Sequence, residues 1–210
     1  KTGENIRSKL ASHLHPRTRV LEIGCSSGIS LLRLAPATGF YLGTDLSGEI
    51  LKWTRAQVER RGLSHVRIEH LPAHEVGRAG ERDFDVVILN SVLQCFSGHN
   101  YLRGVLRQAI DLMAEEGVVF LGHIWDEDLR AEFIRDLTDF QRAHAGKNYR
   151  THADRSEDLF VAREFWQDLQ AEWPEIAAVE FSPLGGGVES ELTRFGYDTI
   201  LRIDKRPAGQ

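Results

Sequence analysis

The chain has 210 residues, 41% of them hydrophobic and 27% charged, and a net charge of −5. That length suits one domain with a sizeable core. The acidic balance carries no nucleic-acid footprint, no apolar run is long enough for a membrane span, and no signal peptide is expected. Cys25 and Cys95 are the only cysteines; they make neither a disulfide framework nor a C-x-x-C pair, which predicts a reducing, cytoplasmic setting. The opening at Lys1, without methionine, is what a trimmed or excised segment of a longer polypeptide would show.

A short helix over Ile6–Leu14 leads into a first strand, Arg19–Ile23. The strand flows into Gly24-Cys25-Ser26-Ser27-Gly28, a helical pattern near Ile29–Leu34, and a second strand, Phe40–Thr44, tipped by Asp45. Strand, glycine turn, helix, and strand ending in an acid make a unit that binds a nucleoside-bearing cofactor. The spacing is E-x-G-x-x-x-G, with Cys25 and Ser26 where a dinucleotide loop needs its close-approach glycine. A pyrophosphate fits such a turn poorly, which speaks against a nicotinamide oxidoreductase. Asp45 lies 17 residues beyond Gly28, near the roughly 20-residue offset of a ribose-binding acid.

A helix over Gly48–Arg61, a short strand at Val66–Glu69 and a strongly apolar strand at Phe84–Asn90 follow. A helix over Tyr101–Met113, a stop at Glu116-Gly117 and a fifth strand, Val118–Ile124, complete the alternation. Alternating strands and helices, with continuously apolar strands, predict a parallel sheet covered on both faces. The pattern then breaks. Asp126 to Ala145 reads as a charged amphipathic helix, with Leu129, Phe133, Ile134, Leu137 and Phe140 at helical spacing. That stripe reads as packing before it reads as a substrate wall. The segment is nevertheless placed to act as a lid, because ligands bind outside the carboxyl ends of such strands. A polar stretch, Gly146–Asp158, a helix around Phe165, Trp166 and Leu169, a strand near Ala178–Phe181, the loop Gly185-Gly186-Gly187 and a last strand, Gly196–Ile203, end the chain. The predicted organisation is one domain over 1–210: a cofactor-binding core at 16–125, a helical insertion or lid at 126–160, and a C-terminal helix and strands at 161–210.

Glu22, Gly24, Gly28 and Asp45 together resemble the class I S-adenosylmethionine-dependent methyltransferases, and the resemblance runs through most of the chain. Four further segments narrow it: FDVVILNSVLQCF (Phe84–Phe96), EGVVFLG (Glu116–Gly122), YRTHADRSEDLFV (Tyr149–Val161) and ELTRFGYD (Glu191–Asp198). These are similar to methyltransferase domains embedded in polyketide synthases and non-ribosomal peptide synthetases. The resemblance implies a Rossmann-like α/β fold with a mostly parallel seven-stranded sheet, an antiparallel last strand and helices on both faces. It implies S-adenosyl-L-methionine as cofactor and S-adenosyl-L-homocysteine as product. It also implies an acyl or peptidyl carrier protein with a phosphopantetheine-tethered substrate as partner, beside neighbouring synthase domains. Lys147, Arg150, His152 and Arg155 are placed to meet that arm or its carrier, although a solvated face is the simpler reading.

Carried over residue by residue, the resemblance implies that Glu22, Gly24 and Gly28 cradle the methionine part with help from Asn90, that Asp45 accepts from the ribose hydroxyls, and that Ala73 and His74 meet the adenine; Cys25 and Leu46 are further cofactor-binding candidates. The family usually has an acid at position 74; a neutral histidine can still accept through one ring nitrogen. His70 and His74 are four apart, but Pro72 between them and the lack of a third ligand argue against a metal. His123, ending the fifth strand, is the candidate general base, since its ordinary pKa suits work near neutrality. Glu191 is the candidate partner that orients it, with Glu189 as an alternative. Gln94 and Ser91 can orient substrate. Ser91 has no triad in the sequence and reads poorly as a nucleophile. An alcohol acceptor gains from a base, whereas a neutral amine does not need one. In the polyketide O-methyltransferase domains that the chain resembles, a histidine and an acid serve this way, so the resemblance implies O-methylation of a carrier-tethered polyketide hydroxyl as the leading expectation. N- or C-methylation of a carrier-bound aminoacyl or ketoacyl group, and a non-catalytic cofactor-binding module, are the alternatives.

Overall fold

The structure, a computed structural model, describes residues 2–147, 155, 157–185 and 190–207. In chain order the strands are β1 (Arg19–Ile23), β2 (Phe40–Asp45), β3 (Val66–His70), β4 (Phe84–Asn90), β5 (Met113–Asp126), β6 (Phe160–Val161), β7 (Ile176–Pro183) and β8 (Gly196–Asp204). The helices are α1 (Thr2–Leu10), α2 (Leu31–Leu34), α3 (Gly48–Arg60), α4 (His99–Asp111), α5 (Arg130–Ala143), α6 (Arg163–Glu172) and α7 (Glu191–Phe195).

The main sheet runs β3-β2-β1-β4-β5-β8-β7. The first five of these strands are mutually parallel, and β8 enters antiparallel between β5 and β7. This is the mostly parallel Rossmann-like sheet, with the last strand antiparallel. β1 and β4 lie side by side where the strand order reverses, so a crevice opens beyond their carboxyl ends. Strand periodicity divides the core. Leu21, Ile23, Val87 and Leu89 face α4 and α6 through Leu102, Val105, Leu106, Trp166 and Leu169. Val20, Val86 and Ile88 face the other way, toward Ile6, Leu10, Leu31, Leu34, Leu51 and Val58. Both sides being dry explains the unbroken apolar runs.

Several boundaries differ from the sequence expectation. β5 begins at Met113 rather than Val118, and α4 ends at Asp111. Gly117 is not a helix stop: a Cβ there would stand 2.5 Å from the Asp85 carbonyl oxygen, so the glycine serves close strand approach. The helix expected at Ile29–Leu34 is one turn, Leu31–Leu34, continued by a 3₁₀ turn through Ala37. The insertion helix starts at Arg130, after a 3₁₀ turn at Glu127–Leu129 capped by Asp126. Its apolar stripe is a packing surface. Phe133 and Leu137 are buried against Trp125, Phe160 and Phe195, while Phe140 is left exposed. β6 adds an eighth strand that pairs with the end of β5, too short to register as a sequence period. Arg150, His152, Gly186, Gly187 and Glu189 lie outside the described residues. Among the described residues no helix is long and apolar enough to cross a membrane.

Candidate functional site

The glycine loop after β1 is built from backbone geometry. Gly24 turns at φ +78°, and the N–H groups of Gly24 and Cys25 both donate to the Thr44 carbonyl, at 2.8 and 2.9 Å. A Cβ on Gly24 would sit 2.9 Å from Cγ2 of Val92, so the position combines positive φ with a close approach. Gly28, at φ +77°, meets Thr54 of α3 in the same way at 3.0 Å. Asp45 ties the loop to the tip of β2. Its Oδ2 accepts from the Ser26 N–H and its Oδ1 from the Ser47 N–H, each at 2.9 Å. A carboxylate has about four acceptor positions, so Asp45 retains capacity for a ligand.

Two cavities meet at Gly24. The larger, about 410 Å³, is mainly apolar and includes Asp45, Leu46, Ala73, His74, Phe96 and Tyr101 in its wall. Leu46 is exposed at its mouth. Nδ1 of His74 is engaged by the Tyr101 hydroxyl at 3.0 Å, which fixes the ring beside the cavity. His70 is turned elsewhere, its Nε2 on the Leu46 carbonyl at 2.8 Å. Cys95 lines this cavity too.

The smaller cavity, about 260 Å³, takes in Glu22, Cys25, Ser30, Asn90, Ser91 and His123. Glu22 is only 2% exposed and accepts a hydrogen bond from the Tyr41 hydroxyl at 2.9 Å. Burial pushes its carboxyl up to about 8, against the hydrogen bonds from Tyr41 and Ser30 and with a smaller push from Asp45. No cation is paired with it among the described residues. Burial likewise raises the Cys25 thiol well above its ordinary value, so Cys25 is a wall rather than a nucleophile. A cavity of similar volume opens at the other end of the sheet, against His13, Asp85, Glu116 and Arg202. It holds none of these loop residues and lies away from the carboxyl ends of the parallel strands, where ligands of such sheets bind.

His123, at an irregularity within β5, lies beside Ser91, which follows the end of β4. Both adopt left-handed backbone, at φ +58° and +57°. The Ser91 N–H donates to the Gly122 carbonyl at 2.9 Å, and the Ser91 hydroxyl is hydrogen-bonded to Nδ1 of His123. Asn90 Nδ2 donates to the same hydroxyl at 3.2 Å. The pairing of β5 with β8 shifts between Leu121 and Ile124, and this irregularity turns His123 toward the cleft. Its backbone N–H is held by Asp198 Oδ1 at 2.9 Å. Burial lowers the imidazole pKa below its usual value; Asp198 opposes this and Lys9 adds to it.

The structure thus gathers Glu22, Gly24, Cys25, Asn90 and His123 around one cavity, and Gly24, Asp45, Leu46, Ala73 and His74 around the next. Gly28 supports the loop from behind. Glu191 is exposed in the first turn of α7, and among the described residues it makes no hydrogen bond to His123. Gln94 braces the Ser91 carbonyl through Nε2 at 2.9 Å, and its buried Oε1 has no partner among the described residues. Arg155 pairs with Asp158 at 3.2 Å, and Lys147 is exposed. Ser91, Tyr101 and Asp198 were missed as partners. The first two sit in segments whose side-chain directions depend on a left-handed turn and a helix start. Asp198 is 75 residues from His123, and only the closing ELTRFGYD motif hinted at it.

Residues 21–119 match the model of the methyltransferase domain family. The chain is 37% identical over 186 residues to CymA of Salinispora arenicola, a probable non-canonical nonribosomal peptide synthetase, covering 88% of this chain and 2% of that protein. It is 31% identical over 205 residues to chondramide synthase of Chondromyces crocatus, covering 93% and 5%. The chain therefore spans only a few per cent of the length of these relatives. In fold it is similar to the N-methyltransferase NodS of Bradyrhizobium japonicum, solved with S-adenosyl-L-homocysteine (TM-score 0.65, 17% identity, 95% of this chain and 83% of that one). It is also similar to the YcgJ protein of Bacillus subtilis (TM-score 0.67, 16% identity, 97% and 99%).

Proposed function

We propose that this chain, which belongs to the class I S-adenosylmethionine-dependent methyltransferases, methylates a hydroxyl of a carrier-protein-tethered polyketide intermediate, with His123 as general base. When bound, the cofactor supplies a methyl group already activated as a sulfonium. The residues of the two cavities fit it. Glu22 is a buried acid without a cationic partner among the described residues, which suits the positively charged methionine end. Asp45 has acceptor capacity left for ribose hydroxyls. The apolar cavity of Leu46, Ala73 and His74 suits a flat base. Gly24, Cys25 and Asn90 complete the methionine side, with Gly28 shaping the loop behind them.

The observation that carries the O-methyl reading is the state of His123. Its Nδ1 is taken by Ser91, and the tautomer that donates Nδ1–H to that hydroxyl leaves Nε2 with a lone pair. Burial keeps the ring neutral near pH 7. A neutral, oriented imidazole in the wall of the cleft is of use to an alcohol, whose proton must leave as its oxygen attacks. Alignment supplies the remainder, by roughly 7–11 kcal/mol in favourable cases. A phosphopantetheine-tethered substrate is supported by the relatives, which are synthetases of many times this chain's length.

CymA is a probable nonribosomal peptide synthetase, and NodS is an N-methyltransferase. Methylation of a carrier-bound aminoacyl group is therefore the second reading. Carrier proteins loaded with β-hydroxyacyl, β-ketoacyl or aminoacyl groups, incubated with this chain and S-adenosylmethionine, separate the two by intact mass. Gain of one methyl on the hydroxyacyl carrier alone supports O-methylation. Gain on the aminoacyl carrier alone replaces it with N-methylation, and gain on the ketoacyl carrier with C-methylation. No gain on any carrier favours a binding module. Glu191 keeps its place as the acid partner only if Glu191→Gln slows turnover as His123→Ala does.

A further inference from the structure

Asp198 is 1% exposed and makes three side-chain hydrogen bonds that join three distant parts of the chain. Its Oδ1 accepts the His123 backbone N–H at 2.9 Å. Its Oδ2 accepts from Asn5 Nδ2 at 3.0 Å and from the Lys9 ammonium, both on α1. Lys9 also donates to the Pro183 carbonyl at the end of β7, at 2.7 Å. α1 is anchored from beneath by Ile6 and Leu10, which are fully buried. A histidine at φ +58° is in a region that side chains rarely adopt, and such a conformation persists only where its surroundings over-determine it. The Asp198 carboxylate is what holds that backbone. We infer that Asp198, clamped by Asn5 and Lys9 of the first helix, is a positioning residue: it sets the backbone of His123 and so aims the imidazole into the cleft. This deepens the reading of His123 as base and rests on it.

The clamp also balances charge. Among the described residues, the charged groups that act on His123 are Asp198, from β8, and Lys9, from α1, and they act in opposite directions; Asn90, ending β4, and Ser91, just after it, are neutral. Removing one leaves the other uncompensated. The test is the titration of the His123 imidazole by NMR in the wild type, Asp198→Asn and Lys9→Met, alongside binding of S-adenosyl-L-homocysteine and turnover on the preferred carrier. Asp198→Asn is expected to move the His123 titration down in pH, and Lys9→Met to move it up. Turnover of Asp198→Asn is expected to fall about 100-fold, the scale of an ångström-sized misplacement, with cofactor affinity within about twofold. A merely structural role would lower melting temperature without opposite shifts in the titration. If Asp198→Asn does not fold, Lys9→Met and Asn5→Ala carry the test. Unmoved His123 resonances and undiminished turnover in folded variants would overturn the clamp. Full activity of His123→Ala would instead remove the base reading, while the NMR shifts still judge the clamp.

Discussion

Replacing Glu22 with glutamine should change how stability depends on pH, and the structure sets both sign and size. The Glu22 carboxyl is buried at the floor of the cleft, bonded to the Tyr41 hydroxyl, and shifted from 4.5 to about 8 by burial. Between those values the folded chain keeps a proton that the unfolded chain has released. Stability is therefore full below pH 4.5 and falls as pH rises, levelling off above about 8. At roughly 1.4 kcal/mol for each pH unit of separation, the wild type loses about 4 kcal/mol between pH 5 and pH 9 through this group. Glutamine keeps the acceptor for Tyr41 and cannot ionise, so Glu22→Gln escapes the loss. Urea unfolding of both proteins at pH 5, 7 and 9 measures the gap, and other titrating groups cancel in the difference. The variant should gain on the wild type by about 4 kcal/mol across that range, or some 8–16 °C in melting temperature for a chain of this size. A gap that stays constant within about 1 kcal/mol would refute the reasoning, because Glu22 would then be hydrated or paired with a cation.

His123→Ala should slow methylation of a hydroxyacyl carrier about 10²–10⁴-fold, as expected for loss of a general base, with little change in cofactor affinity measured by calorimetry. In the wild type the rate should rise with pH through a value below 6.5 and then hold, because burial lowers the imidazole; a limb above 6.5 would count against His123. Gly24→Ala should cost about 1–3 kcal/mol, since it meets both positive φ and Val92, and should weaken S-adenosyl-L-homocysteine binding in the same calorimeter. Asp45→Ala should weaken that binding at least about tenfold, having lost the proposed ribose acceptor as well as the hydrogen bonds from Ser26 and Ser47. Trp166→Phe removes the 2.7 Å donor to the Tyr197 hydroxyl and should lower stability by about 1–2 kcal/mol without altering cofactor affinity.

Local chemistry carried much of this fold into the sequence. Val20–Ile23 and Phe84–Asn90 announce themselves because a strand covered on both faces has no polar side. Gly24, Gly28 and Asp45 mark the loop after β1 because a positive-φ turn, a close approach and a strand-tip acid each demand a residue type at a fixed spacing. These signals are short-range, and a single pass along the chain reads them. Gly117 shows the limit: beside Glu116 it looks like a helix stop, yet it is a glycine because the Asp85 carbonyl lies against it. The acceptor side depends on long-range contacts of this kind. Ser91 and Asp198 reach His123 from 32 and 75 residues away, through two left-handed backbones and an irregular pairing of β5 with β8. Neither leaves a periodic trace. The glycine loop and its strand-tip acid follow from residue type and spacing, whereas the setting of His123 was decided only when β8 and α1 packed against β5.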